Sequence, residues 1–595
     1  MNYEGFHEGT FISIPYRKIR RKMRSTCILF ISLVLVISAC KTDGEQQHPD
    51  MIIHNAKVYT VDDAQSISEA VSVTDGRITM IGTSEEILST KGEGTQLVDI
   101  AGALVIPGLI EGHGHFSGLG QSLMNLNFLK SKTWDEIVEM VRQRVNEVDT
   151  GEWIIGRGWH QEKWTETPHD HVHGYPRHFD LSEIAPDNPV MLRHASGHGL
   201  IANQKAMDIA GVNKETADPA GGAIVRDRDG EAIGVFEERA MEIIRNAYNY
   251  YLEEQTDEQK LKEWFEGIAL AQQACLSNGI TSFQDAGARF EEIDRYKTMA
   301  KDGKMDIRLW SMVRHSSADM DGRLSSLRTV DAGDGYFTCN AIKTEVDGAL
   351  GSFGAWLLQP YADKPDFVGQ NTTEIEEVDA IARLALAADM QLCVHAIGDK
   401  ANQVVLDLME KHYAQHPDKE LRWRIEHSQH LHPDDIPRFG ELGVIASMQG
   451  IHCTSDSPYV EKRLGHKRSQ EGAYNWRAIL DSGGIVTNGT DAPVEDISPI
   501  ESYYATVTRK RVDGGDAFFP ENKMSRAEAI YSYTMANAIA AFEEEKKGSI
   551  EVGKYADFTV LSEDWLTCTD DAILDTKILY TIVDGEIRYQ HKDEK

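Results

Sequence analysis

Through the middle of this chain, short apolar segments alternate with amphipathic helical stretches, and that alternation restricts the fold more than any other feature. Segments 279–283, 391–394, 424–425, 444–447 and 484–487 read as strands, while 375–388, 403–413 and 526–540 carry helical periodicity. Strands that run apolar nearly throughout are buried on both faces, as in parallel sheets covered by helices. Repetition over this length predicts an α/β fold, a (β/α)8 TIM-type barrel. A doubly wound open sheet is the alternative, but no Gly-x-Gly-x-x-Gly opens a helix here. Each apolar run is followed by a polar or ionisable cluster, which is where such barrels keep their chemistry.

The two ends follow another pattern. Alternating strands fill 51–106, with Asp75-Gly76 as a hairpin turn, and strands return in 546–595. Neither end has enough strands for a stable sheet alone, so one small β-sandwich domain built from both is expected. The barrel then spans 107–545, with an insertion at about 150–240 that is rich in Gly, His, Pro and Trp and is read as irregular. The leader differs again. Basic Arg17-Lys18-Ile19-Arg20-Arg21-Lys22 precedes an apolar run from Cys27 to Ile37, then Ser38-Ala39-Cys40. A positive flank and a short apolar core are the marks of an export signal, too short to favour a spanning helix. Cys40 stands where a bacterial lipobox has its lipidated cysteine, so 1–40 is read as a signal peptide and polar 41–50 as a tether.

Composition removes several classes. With 595 residues, 41% hydrophobic and 26% charged, the chain is neither disordered nor fibrous. A net charge of -34 argues against nucleic acid as a partner. The seven cysteines include no Cys-x-x-Cys pair, and the five beyond the leader are expected as buried thiols.

The chemistry concentrates at strand ends. His113 and His115 end an apolar strand, and residues two apart on a strand share a face, so both imidazoles can meet one metal ion. His395, His427 and Asp491 each end a further apolar run. Such ligands from separate strands do not make a compact structural zinc knuckle.

In this order the residues resemble the amidohydrolase superfamily, specifically its family 3, the group that includes N-substituted formamide deformylases. The likeness runs from about 50 to 590 and includes Trp153-Ile154-Ile155-Gly156-Arg157-Gly158-Trp159, Gly197-His198 with Asn203, and Gln284-Asp285-Ala286. It implies that Lys343, in Ile342-Lys343-Thr344-Glu345-Val346-Asp347-Gly348, is carbamylated and bridges two ions; the alternative is an ion pair with Glu345 or Asp347. In such a site His113, His115 and Asp491 hold one divalent ion, zinc being expected, and His395 and His427 the other. His198, Asp285 and His452 are candidate substrate contacts. Gly450 stands where the family has proline, which predicts a looser loop carrying His452. The implied reaction is hydrolysis of a non-peptide C–N bond in an N-acyl or N-formyl amine by metal-activated hydroxide, with Asp491 as proton shuttle. Ester, lactone or cyclic-amide hydrolysis by the same site stays open, as does a non-catalytic, surface-anchored binding lipoprotein. The partner is a small molecule, a membrane is met only through the lipid, and a homodimer is left open. If Cys40 carries the lipid, Cys40→Ser moves the protein from the membrane fraction to the soluble one or leaves it uncleaved; unchanged membrane attachment counts against the lipobox.

Overall fold

Eight strands form one parallel sheet: β1 (Leu109–Gly114), β2 (Ile280–Ala288), β3 (Arg308–Val313), β4 (Phe337–Glu345), β5 (Gln391–Ala396), β6 (Arg424–His427), β7 (Ile445–Ser447) and β8 (Ile485–Thr487). The computed structural model describes residues 48–592 except 129–130, 162–163, 195–198, 220–221 and 352, so the leader, Cys40 and His198 lie outside the described residues. Neighbouring strands pair in chain order from β1 to β8, each parallel to the next. The last seam is closed by single bonds. Gly112 N–H donates to Asn488 O at 3.1 Å. The Asn537 amide reaches Ile110 O at 2.8 Å and Asn488 O at 2.9 Å. A Cβ on Gly112 would lie 2.3 Å from Asn537 Oδ1, so the seam admits only glycine there. The fold is the (β/α)8 barrel that the strand–helix alternation predicts.

Segments 51–107 and 558–590 meet in a β-sandwich. One sheet orders Arg77–Gly82, Ala70–Thr74, Met51–His54 and Gln96–Asp99. The other orders Glu586–Gln590, Ile578–Val583, Phe558–Leu561, Leu104–Pro107, Lys57–Tyr59 and Ile67–Ser68. Phe558 pairs with Pro107 across the two ends, and Ile53, Val71, Val105, Phe558 and Ile582 share one buried core. The expected hairpin turns at Asp75 and Gly76, both with positive φ. Leu104–Pro107 runs through Gly108 directly into β1, so sandwich and barrel are continuous where the first histidine is placed. A buried ion cluster reinforces the joint. Arg308, at the start of β3, donates to Asp557 at 2.8 and 3.0 Å and to Asp584 at 2.9 Å, with the Tyr555 ring 3.5 Å from its guanidinium carbon.

Between β1 and β2 the chain forms a second compact unit, Phe116–Gln273. It is not irregular. Six strands order as Gly222–Arg226, Ala232–Glu238, Gly199–Ala202, Val190–His194, Ile154–Trp159 and Leu126–Asn127. The helix Trp134–Val145, capped by Thr133, sends Trp134, Ile137 and Val141 into its core. Asn203 is a structural residue of this unit. Its Oδ1 accepts from Val190 N at 2.9 Å and Ala206 N at 3.0 Å, and its amide donates to Ala185 O and Asn188 O, both at 2.9 Å. The strands here are short and mixed in direction, so their pattern reads as irregular in one dimension.

Elsewhere the differences are local. The stretch 526–540 is two helices, Arg526–Tyr533 and Met535–Ala540, broken at Thr534, whose ψ of -90° is not helical. Cys275, Cys339, Cys393 and Cys453 are buried thiols and Cys568 is half-buried. Among the described residues no helix is long and apolar enough to cross a membrane. Arg308→Leu leaves Asp557 buried without its cation, a loss of about 3–5 kcal/mol; a clear drop in the denaturant midpoint is the expected result, and an unchanged midpoint removes the joint's role.

Candidate metal centre

His113, His427 and Asp491 come together at the C-terminal ends of the barrel strands. One ligand atom from each lies within 4.8 Å of the others, and all three residues are buried. Asp491 Oδ1 is 3.2 Å from His115 Nε2 and 3.6 Å from His113 Nε2, and Oδ2 is 3.8 Å from His452 Nε2. His395 joins through ring contact, its centroid 4.4 Å from that of His427. The tightest group therefore takes members from both of the sets expected for two separate ions. His113 lies deep on β1 and reaches across to β6, whereas His115 stands nearer the rim with 31% of its side chain exposed.

Each ring is aimed by a partner behind it. His113 Nδ1 donates to Glu426 on β6, two residues past Arg424 on the same strand face. Arg424 holds Glu426 by Nε at 2.8 Å and is itself bound to Gln284 Oε1 at 2.6 Å, Gly112 O at 2.8 Å and Ser447 Oγ at 2.7 Å. Burial opposes charge on Glu426, but Arg424, His113 and Lys343 outweigh it and hold the carboxyl well below its ordinary range. His427 Nδ1 donates to Gln449 Oε1 at 2.8 Å. In both rings Nε2 is left as the lone-pair nitrogen. His427, Ser428 and Asp491 have φ of 77°, 45° and 61°, left-handed values that cost non-glycine residues about 1–3 kcal/mol each.

Burial keeps His113, His395 and His427 neutral. Burial, aided by the Lys343 charge, pushes His113 down to about 4 and His395 down to about 3, and burial with the neighbouring rings holds His427 well below the ordinary imidazole value. Burial works against the Asp491 charge, but contact with His115 and the other facing rings holds the carboxyl well below its ordinary range. Lys343 is 3% exposed, and burial lowers its pKa against the pull of Glu426 and Asp491. Its sequence neighbours are engaged elsewhere. Glu345 pairs with Arg314, and Asp347 accepts backbone N–H groups from Trp356, Ile397 and Gly398 at 2.8 to 2.9 Å.

The other candidates divide. His452 is brought to Asp491, as above. Its loop is not loosened by Gly450: a Cβ there would lie 2.1 Å from Thr506 Oγ1, so glycine lets the helix Gly450–Ser455 seat on Pro499–Thr508. Asp285, on β2, accepts from Ser311 Oγ at 2.9 Å. The supporting residues Arg424, Glu426 and Gln449 escape a search for ligands at strand ends; the only sequence trace is a charged Arg-x-Glu pair inside an otherwise apolar strand.

A divalent ion fits this donor set. His113 Nε2, His395 Nε2 and Asp491 Oδ1 are buried without hydrogen-bond partners. Buried polar atoms are ordinarily paired, so convergent bare acceptors point to a cation.

Fold and site together define a metal-dependent hydrolase of the barrel class. The sequence matches the amidohydrolase family over residues 96–589, and the chain belongs to that family. It is 31% identical to Protein LONG AFTER FAR-RED 3 of Arabidopsis thaliana over 91% of each chain. To the N-substituted formamide deformylase of Arthrobacter pascens it is 28% identical, over 91% of this chain and 99% of the relative. An uncharacterized metal-dependent hydrolase from Pyrococcus furiosus superposes with a TM-score of 0.67 at 26% identity, over 87% of this chain and 100% of that one. Glu426→Gln, which removes the anion behind His113, should weaken metal binding about 10–100-fold in chelator competition; unchanged affinity would show that Glu426 only fills space.

Proposed function

We propose that the chain hydrolyses a non-peptide C–N bond in an N-acyl or N-formyl amine. The observation that carries this reading is Asp491, a carboxylate whose Oδ1 faces His113 and His115 without a hydrogen-bond partner while Oδ2 faces His452. Such a group can ligate and still exchange a proton. Similarity to an N-substituted formamide deformylase supports the bond type. His113, His115, His427, His395 and Asp491 would hold one or two divalent ions, and Lys343, as a carbamate, would add an anionic oxygen between them. An imidazole-and-carboxylate set favours zinc. When bound, the ion supplies Lewis acidity toward water and the scissile carbonyl. Asp491 takes the proton from the attacking water and returns it to the leaving nitrogen. His113 and His395 stay out of that proton balance, because burial keeps them unprotonated at neutral pH.

From the leader sequence and the net charge we also propose that the mature protein is held on a membrane through lipid on Cys40 and takes no nucleic-acid partner. A panel of N-formyl and N-acyl amines, beside esters, lactones and cyclic amides, separates the leaving groups, with released amine as the readout. Asp491→Asn keeps the size and one oxygen ligand but cannot carry a proton. Metal should persist while kcat falls by about 10²–10⁴. A variant that keeps both metal and near-normal turnover refutes the shuttle role.

A further inference from the structure

The histidines facing Asp491 differ in what lies behind them. Glu426 is an acceptor only, so His113 carries its proton on Nδ1. Gln449 is oriented by its own amide, which donates to Ser447 O at 3.1 Å, so its oxygen faces His427 and that ring is also protonated on Nδ1. His452 is the reverse. Its Nδ1 lies 2.9 Å from Nε2 of Gln429, a group that only donates. Nδ1 therefore keeps its lone pair and the proton sits on Nε2.

That Nε2 is buried without a hydrogen-bond partner, and at 3.8 Å from Asp491 Oδ2 it is too far to bond it. A nitrogen that bears a proton cannot ligate a metal, and a buried N–H without an acceptor calls for one. Its surroundings are fixed. Gln429 is 4% exposed, and its backbone carbonyl accepts from Tyr474 N at 2.7 Å, which anchors the main chain beneath the side chain. The helix Gly450–Ser455 is pinned by Gly450 N to Asn488 Oδ1 at 2.8 Å and Ile451 N to Ser502 Oγ at 3.1 Å. We propose that Gln429 locks His452 in the Nε2–H tautomer, so that His452 donates a hydrogen bond to the substrate's carbonyl oxygen beside Asp491. Gln429 is the positioning residue and His452 the group that touches substrate. The donor stabilises the oxygen as it gains negative charge and gives up no proton to it. The tautomer stands on hydrogen-bond chemistry alone; its kinetic consequence rests on the hydrolytic reading above.

Neutron diffraction from deuterium-exchanged crystals of the metal-loaded protein reads the tautomer directly. A deuteron on His452 Nε2 and none on Nδ1 is the expected result; a deuteron on Nδ1 facing a Gln429 oxygen overturns the proposal. Gln429→Glu offers only acceptors, so the deuteron should move to Nδ1 and kcat should fall about 10²–10³-fold with metal content unchanged. Full turnover with the deuteron moved overturns the donor role. As a second variant, His452→Gln keeps an N–H and should retain more turnover than His452→Leu; equal losses count against donation. If the wild type cleaves no C–N substrate at all, the hydrolytic reading fails while the neutron result still decides the tautomer.

Discussion

The site depends on one buried anion. Glu426 sits inside the barrel, fully enclosed, between the Arg424 guanidinium and the His113 ring. An isolated carboxylate at such a position would be neutral, because desolvation of the charge costs far more than a proton does. Arg424 reverses that. It binds Glu426 while its remaining N–H groups go to Gln284, Gly112 and Ser447, and so ties together β1, β2, β6 and β7. One cation thus sets the charge of the anion, the anion sets the tautomer of His113, and the tautomer decides which nitrogen faces Asp491.

The strain at the strand exits belongs to the same arrangement. His427, at the end of β6, and Asp491, just beyond β8, both have positive φ where their side chains converge. Asp491 N–H donates to His113 O at 2.8 Å, so backbone as well as side chain ties the carboxylate to the first histidine. The seam lies immediately beneath, at Gly112 and Asn488, where the barrel is closed by single bonds rather than a full ladder.

Much of this was legible in the sequence, for a physical reason. Strands buried on both faces are apolar throughout, so β5 to β8 announce themselves, and a histidine or aspartate at such an exit stands out. The helix Ile375–Ala388 is read to its residue bounds because its periodicity is unbroken. Glu426 and Gln449 were not legible as supports. Their roles depend on which residue of a distant strand lies opposite, and register is not written in local pattern. The inserted unit reads as irregular in the sequence because its mixed strands are joined by short links that resemble loops. The break at Thr534 is invisible in a stretch whose composition favours helix throughout. Lys343 entered by resemblance, since a lysine in an apolar strand has no single meaning.

Because Leu104–Pro107 pairs with Phe558–Leu561 and continues into β1, the earliest-made part of the barrel borders a strand made almost last. During synthesis, the segment that ends in His113 waits through more than four hundred residues before its flanking strand acquires that neighbour. Such a long-range pairing closes late and at high entropic cost. The molecule thereby couples the completeness of its chain to the placement of its first histidine. A ribosome that stops before residue 558 leaves Leu104–Pro107 without one neighbour and the sandwich core open.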